Sequence, residues 1–460
     1  MIFGHQTHGA HHRQLTVANQ FFSPFTSPLG VYSRRWFLKA SMAGMGLPIL
    51  PGLASAAEPA SANVDRKSVI LFWLSGGPSQ IDMWDPKPQA PQEIRSPFSP
   101  IGTKLPGVSF TEHLPLQASI ADKLSIIRSV DCSASNHTPI TMQAGNPLAR
   151  RTNDGKDGAG FPSMGSVCSK FRGANSKDMP AFVGLADSWQ ADVWEAGDMG
   201  QAYAPVKGNE LAGKFRLPDG ISTSRLSSRN ELRSHFDTLR TSLDLEGHME
   251  RMDRHSQRAF EMSLSGKVEE AFDLTRESNQ TQDLYGKESV GQKALLARRL
   301  VEAGASFVLV SGAWGYFDHH GDNVRWGGIE KGLKPLMPRV DRALYALVTD
   351  LEQRGLLDST LVIMMGEFGR SPVINKEAGR DHWVNVMSMV MAGGGLNHGQ
   401  VIGSTDRRGG TIMSSPVRPQ DLAATTFQHL DIDLDSHWVN HQGRPIPIVQ
   451  DGGRPIPELG

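Results

Sequence analysis

The chain has 460 residues, of which 39% are hydrophobic, and its formal net charge is -1 at pH 7. This length and hydrophobic content suffice for one large domain or two ordinary ones, and the near-neutral charge disfavours nucleic acid or an anionic membrane as a partner. Cys132 and Cys168 are the only cysteines, which excludes a disulfide scaffold and a thiolate metal cluster.

The first element in chain order is a predicted twin-arginine signal in residues 1–56. The pair Arg34-Arg35 precedes an apolar run over residues 40–53, which ends at the small-residue cleavage site Ala54-Ser55-Ala56. The run is too short for a membrane span, so we expect a mature chain without one, beginning near Ala57. The pattern predicts export by the twin-arginine machinery to the periplasm or the extracellular space. There Cys132 and Cys168 would either pair or remain two separate buried thiols.

The rest of the chain alternates continuous apolar runs with helical patterns. The predicted strands are Val69–Leu74, Ser306–Val310, Thr360–Met365 and Val386–Met391, and the predicted helices cover Ala294–Ala303 and Leu336–Leu351. Residues 224–286 are polar and helix-prone, which predicts a helical insertion. Apolar strands alternating with helices indicate an α/β fold, in which helices cover both faces of a mainly parallel sheet.

Polar clusters stand next to these strands, where an α/β sheet binds its ligands. Taken singly, each residue is more typical of a loop or a surface charge, and their shared position is what indicates a metal or polar catalytic site. The carboxylates and imidazoles would suit a divalent ion such as Zn, Ca, Mg or Mn. The candidate ligands are Asp318, His320, Glu367 and His382.

Several motifs, in this order along the chain, resemble the family called domain of unknown function 1501. They are Leu74–Asp82 with Asp85-Pro86-Lys87-Pro88, Leu296–Gly304, Asp318 with His320-Gly321-Asp322-Asn323, Gly366–Pro372, Gly379–Trp383 and Ala392–Gly395. The resemblance covers essentially residues 67–460. It implies twin-arginine export and an alkaline-phosphatase-like domain, similar to the sulfatase and alkaline phosphatase superfamily, with the helical insertion at about 224–286.

The same resemblance implies a set of metal ligands. Asp318, His320 and His382 would hold one metal. Glu367-Phe368 stands where the superfamily usually carries an Asp-His pair for a second metal, so Glu367 could bind it and Phe368 cannot. The first strand ends in Ser75 instead of the usual acid, which leaves Asp82 or Asp85 as substitutes.

The resemblance also implies a reaction, the hydrolysis of a sulfate or phosphate ester. The nucleophile would be Ser135, Thr138 or water, and Arg370 would stabilise the developing oxyanion. His137 would act as acid or base, or else make a hydrogen bond at the entry to a helix. The expected partner is therefore an anionic small-molecule or glycan ester.

Two other functions fit the sequence. One is a non-catalytic member of the superfamily that binds a sulfated or phosphorylated glycan and uses tryptophans as stacking surfaces. The tryptophans in question are Trp84, Trp314 and Trp383. The other is a structural component of an exported complex.

Overall fold

A computed structural model describes residues 66–149, 158–208, 266–312, 315–450 and 452–460. Its strands are β1 (Ser68–Trp73), β2 (Pro100–Gly102), β3 (Ser109–Thr111), β4 (Leu124–Val130), β5 (Phe182–Leu185), β6 (Val206–Lys207), β7 (Phe307–Ser311), β8 (Thr360–Met365), β9 (Gly369–Arg370), β10 (His382–Trp383), β11 (Met387–Gly393), β12 (Gln400–Ile402), β13 (Ser404–Thr405), β14 (Ile412–Ser414), β15 (His437–Val439) and β16 (Pro445–Pro447). Its α-helices are α1 (Pro115–Ser119), α2 (Ile140–Ala144), α3 (Met164–Phe171), α4 (Trp189–Asp192), α5 (Lys267–Phe272), α6 (Asn279–Tyr285), α7 (Ser289–Ala303), α8 (Lys334–Gln353) and α9 (Pro419–His429).

Eight of the strands form one central sheet in the order β12-β4-β11-β8-β1-β7-β5-β6. The pairings of β1 with β7 and β8, of β5 with β6 and β7, and of β12 with β4 are parallel. Only β11 runs against its two neighbours, β4 and β8. The predicted α/β architecture with a mainly parallel sheet is therefore confirmed.

Helices cover both faces of this sheet, as the continuous apolar strands predicted. Ile70 and Phe72 of β1 pack into one core cluster with α7 and α8. The alternate residues Val69, Leu71 and Trp73 pack on the opposite face with α3 and α9. Both faces are buried because successive side chains of a strand point in opposite directions.

The elements predicted from periodicity lie close to the observed ones. The run Thr360–Met365 is β8, and α7 ends at Ala303. Gly304, whose left-handed backbone has a φ of 117°, caps the helix as expected. Of the predicted insertion at 224–286, the described part contains α5 and α6, and residues 224–265 lie outside the described residues.

Three expectations concerned the export signal, the lack of a membrane span and the two cysteines, and the structure tests only part of them. Residues 1–56, which carry the predicted signal, lie outside the described residues. Within the described ranges, every helix is too short or too polar to cross a membrane. Cys132 and Cys168 are buried free thiols and do not form a disulfide.

Candidate metal centre

The candidate site lies where several strands end at one edge of the sheet. The segments that carry His137, Asp318 and Glu367 follow β4, β7 and β8, which all run in the same direction. His382 instead precedes β11, and because β11 is reversed, its beginning lies at the same edge. The topology thus brings residues from distant parts of the sequence to one place.

Three histidines point the same ring nitrogen at the carboxylate of Asp318. Nε2 of His320 and Nε2 of His382 lie 3.0 and 3.1 Å from Oδ1 of Asp318. Nε2 of His137 lies 3.6 Å from Oδ2 of the same carboxylate. Atoms that share one ion, with bonds of about 2.0–2.2 Å, lie roughly 3 to 3.5 Å apart. His137, Asp318 and His382 are therefore spaced as ligands of a single ion can be, and His320 lies beside them.

Glu367 sets the orientation of His137. Its Oε1 accepts hydrogen bonds from Nδ1 of His137 at 2.9 Å and from the N–H of Gly76 at 2.8 Å. A carboxylate can only accept, so Nδ1 carries a proton, which leaves Nε2 as the ring nitrogen that a metal can bind. The other oxygen, Oε2, is buried and has no hydrogen-bond partner among the described residues. That orphaned oxygen suits a cation held close to His137.

The pKa values of Asp318 and His137 are those expected at a site that binds positive charge. Burial raises the pKa of Asp318, but hydrogen bonds from His137, His382 and Arg370 outweigh burial and hold that pKa well below its usual range. Burial lowers the pKa of His137, but its bonds to Asp318 and Glu367 raise it to about 9. Asp318 is thus ionised at neutral pH, and a divalent cation would replace the proton on His137.

Arg370 contacts Asp318 from inside the protein. Its Nη2 donates to Oδ1 of Asp318 at 2.6 Å, its Nε donates to the carbonyl of Gly77 at 3.0 Å, and its Nη1 donates to the carbonyl of Arg380 at 2.9 Å. The side chain is only 2% exposed. In this arrangement the guanidinium holds Asp318 and the loop after β1 in place, and its donors face protein acceptors.

Asp82 and Asp85, the predicted substitutes for an acid at the end of β1, are engaged elsewhere. Asp82 is fully buried, and its two oxygens accept from Nε and Nη2 of Arg380 at 2.7 and 3.0 Å. Asp85 forms ion pairs with Lys87 and Arg128, at 3.0 and 3.3 Å. The group that the structure brings around Asp318 includes neither acid.

The two predicted hydroxyl nucleophiles lie on the segment between β4 and α2. Ser135 donates to the backbone carbonyl of Asn136 at 3.4 Å, and Thr138 donates to the side-chain oxygen of Asn136 at 2.6 Å. Thr138, together with His137, lines a neighbouring cavity, and Ser135 does not. The geometry therefore favours Thr138 as the more accessible hydroxyl.

Sequence reasoning missed Asp192, a buried acid close to this edge. Its Oδ2 accepts from the hydroxyl of Ser311, the last residue of β7, at 3.0 Å. Burial raises the pKa of Asp192 to about 6, and the nearby charge of Glu367 adds to that effect. Asp192 ends a four-residue helix that follows β5, a strand that the apolar pattern did not predict, so no pattern marked it. His137 was identified as an acid or base, and its place among the possible ligands emerged only from the structure.

Of the three tryptophans proposed as stacking surfaces, Trp84 needs correction. Trp84 is completely buried and donates its indole N–H to Gln117, so it cannot stack on a ligand. Trp383 is half-buried and donates to the carbonyl of Gly410 at 2.8 Å. Trp314 lies outside the described residues. Two other tryptophans, Trp189 and Trp194, line the cavity beside His137.

That cavity has a volume of about 1140 Å³. Residues 137–140 form one side of it, and residues 188–191, 193–195 and 197 with Gln201 and Lys207 line the rest. Because His137 belongs both to the cavity lining and to the group around Asp318, the cavity opens beside the candidate metal centre.

The fold and the site together define a mixed α/β protein with a candidate metal centre at the carboxyl edge of its sheet. The chain belongs to the family described as "Protein of unknown function (DUF1501)", whose model matches residues 66–459. No curated protein matches the sequence.

Solved structures provide likenesses at low identity. A sulfatase from Pseudoalteromonas sp. is 12% identical with a TM-score of 0.36, over 80% of this chain and 68% of the sulfatase. A phosphonate monoester hydrolase from Silicibacter pomeroyi is 10% identical with a TM-score of 0.37, over 84% of this chain and 74% of the hydrolase. At these identities and scores, neither enzyme's activity is evidence for the activity of this chain.

Proposed function

We propose that this protein is an exported, metal-dependent hydrolase of sulfate or phosphate esters. The observation that carries the proposal is the convergence of three histidine Nε2 atoms on the carboxylate of Asp318, beside an open cavity. Mixed imidazole and carboxylate donors are typical of catalytic sites for divalent transition metals.

Each residue of the centre has a role in this proposal. His137, Asp318 and His382 would hold the ion, with His320 as a further donor. The ion would supply Lewis-acid polarisation of a non-bridging ester oxygen. Arg370 keeps Asp318 ionised and in place, so we propose it as a positioning residue.

The reaction needs a nucleophile and a proton for the leaving group. The hydroxyl of Thr138, or a water molecule beside it, would give up its proton and attack phosphorus or sulfur, the bond from that atom to the leaving oxygen would break, and the leaving oxygen would take up that proton. If Thr138 attacks, water would then hydrolyse the ester formed on Thr138 and restore its hydroxyl. Thr138 is the hydroxyl that borders the cavity, and we therefore prefer it to Ser135.

Metal analysis and hydrolysis of chromogenic esters test this function together. We expect the purified protein to contain about one divalent ion per chain and to hydrolyse 4-nitrophenyl phosphate or sulfate. The variant His382→Ala should lose the ion and at least about 100-fold in kcat/KM, since it removes a nitrogen that would bind the ion directly. His437→Ala, at an exposed position of β15, is the matched control and should keep both properties. An active parent without any bound metal, or a His382→Ala variant as active as the parent, would show that this centre is not the catalytic site.

A further inference from the structure

One side of the cavity beside His137 is formed by Trp194, and hydrogen bonds to the rest of the protein fix the position of this tryptophan. Gln143 of α2 is buried, donates to the carbonyl of Asp192 at 2.8 Å and accepts from the backbone N–H of Trp194 at 2.8 Å. The indole N–H of Trp194 donates to the carbonyl of Phe161, also at 2.8 Å. Since α2 begins just after His137, these bonds connect Trp194 to the segment that carries His137.

A second tryptophan positions a positive charge over the cavity. The ring of Trp189 lies so close to Gly184 that an added Cβ there would be 2.6 Å from a ring carbon, and its N–H donates to Glu195 at 2.6 Å. The ammonium of Lys207 stands 5.2 Å from the centroid of the same ring, which is a cation–π distance. Trp189 thus orients Lys207, and the half-buried indole of Trp194 borders the cavity.

We infer that this cavity is a saccharide subsite, in which Trp194 stacks against a sugar ring and Lys207 binds an anionic substituent of that sugar. A sugar ring has an apolar face of C–H groups that packs on an indole, and its hydroxyls match the amide side chains of Gln190 and Gln201 in the lining. The inference rests on the proposed function, because it makes the saccharide the part of the ester that carries the reacting sulfate or phosphate.

Calorimetric titration with a panel of sulfated hexasaccharides, derived from chondroitin sulfate, carrageenan and heparin, tests the subsite, with cellohexaose as the neutral comparison. We expect at least one sulfated member to bind and to bind more tightly than cellohexaose. Trp194→Ala should weaken binding of that member and of cellohexaose by about tenfold or more. Trp194→Phe, which keeps an aromatic face, should recover most of the affinity. Lys207→Met should weaken only the sulfated ligand.

Lys170 supplies the matched control for Lys207. Its ammonium lies 5.5 Å from the ring of Tyr203, a similar cation–π pair, and it does not line the cavity. Lys170→Met should therefore leave both affinities unchanged. If Trp194→Ala does not fold, Trp194→Leu replaces it in the test, because leucine fills part of the same volume without an aromatic face.

Two outcomes would overturn the subsite: no hexasaccharide of the panel binds, or Trp194→Ala and Lys207→Met bind the sulfated ligand as tightly as the parent does. The failure of the proposed function looks different. In that case the protein would contain no metal and hydrolyse no ester, while the tryptophan and lysine variants would still lose saccharide affinity.

Discussion

At the scale of single residues, the sequence motifs contain structural charges as well as candidate ligands. Asp82 and Arg380 both belong to motifs of the family resemblance, and they form a buried ion pair. From the sequence alone, Asp82 could equally be a metal ligand and Arg380 an anion-binding residue. The pair is identified only when both partners are seen to be almost fully buried.

This pair gives a stability prediction. We expect Asp82→Asn to lower the free energy of unfolding by about 3 to 5 kcal/mol, because it leaves the buried guanidinium of Arg380 without its counter-charge. Urea unfolding at pH 7 measures the change. Asp122→Asn removes the exposed partner of Lys104 and should cost at most about 1 kcal/mol. Equal costs for the two variants would mean that the buried pair contributes no more than a surface one.

A second residue-scale prediction concerns His429. Burial lowers its pKa to about 4, from the 6.5 of an exposed histidine. The neutral ring is therefore favoured in the folded state, and its contribution is present above pH 6.5 and lost as the pH falls towards 4. We expect a loss of about 2 kcal/mol in the free energy of unfolding between pH 8 and pH 5 from this group. His429→Gln should show a correspondingly smaller loss in urea unfolding at the two pH values, and an unchanged pH dependence would contradict the assignment.

At the scale of elements, the loops after β1 and β7 have to fit against each other. The N–H of Phe317 donates to the carbonyl of Ser75 at 2.7 Å, and Gly76 has a left-handed φ of 107. A Cβ at Gly76 would lie 2.5 Å from the backbone nitrogen of Asp318. This close approach explains a glycine in the loop after β1, beside the candidate ligand.

Gly76→Ala should therefore displace Asp318 as well as strain its own backbone. We expect a loss of at least about tenfold in metal affinity, since misplaced ligands bind less well. Gly107→Ala is the control, because Gly107 also has a left-handed φ, of 76, but a Cβ there meets nothing within 4 Å. Competition with a chromogenic chelator measures both affinities. A similar affinity in both variants would show that strain at Gly76 does not reach Asp318.

At the scale of the whole molecule, the proposed function includes export. The proposed signal contains Arg34-Arg35, and the receptor of the twin-arginine machinery recognises such a pair. We expect Arg34→Lys with Arg35→Lys to leave the precursor in the cytoplasm and to abolish the mature form outside it. Immunoblotting of cell fractions checks this, with Arg13→Lys as a control in the same N-terminal region. Normal export of the double variant would exclude the twin-arginine route.

Much of the architecture could be predicted because periodicity is a local property. The apolar run Thr360–Met365 is a strand in any α/β packing that buries both of its faces, and the pattern before Gly304 specifies a helix and its end. Asp318, His320 and His382 were recognisable for a similar reason, since each stands next to such a strand.

The partners of these residues depend on distances between segments far apart in the chain. His137 and Glu367 are 230 positions apart and hydrogen-bonded, because β4 and β8 end at the same edge of the sheet. The reversal of β11 places His382 there too, although His382 comes before its strand. The local sequence was thus enough for four strands of the central sheet, for the two long helices α7 and α8, and for the residue types of the candidate site. Which acid pairs with an arginine, which histidine faces Asp318 and which tryptophan borders the cavity follow from strand order and direction, which no local pattern encodes.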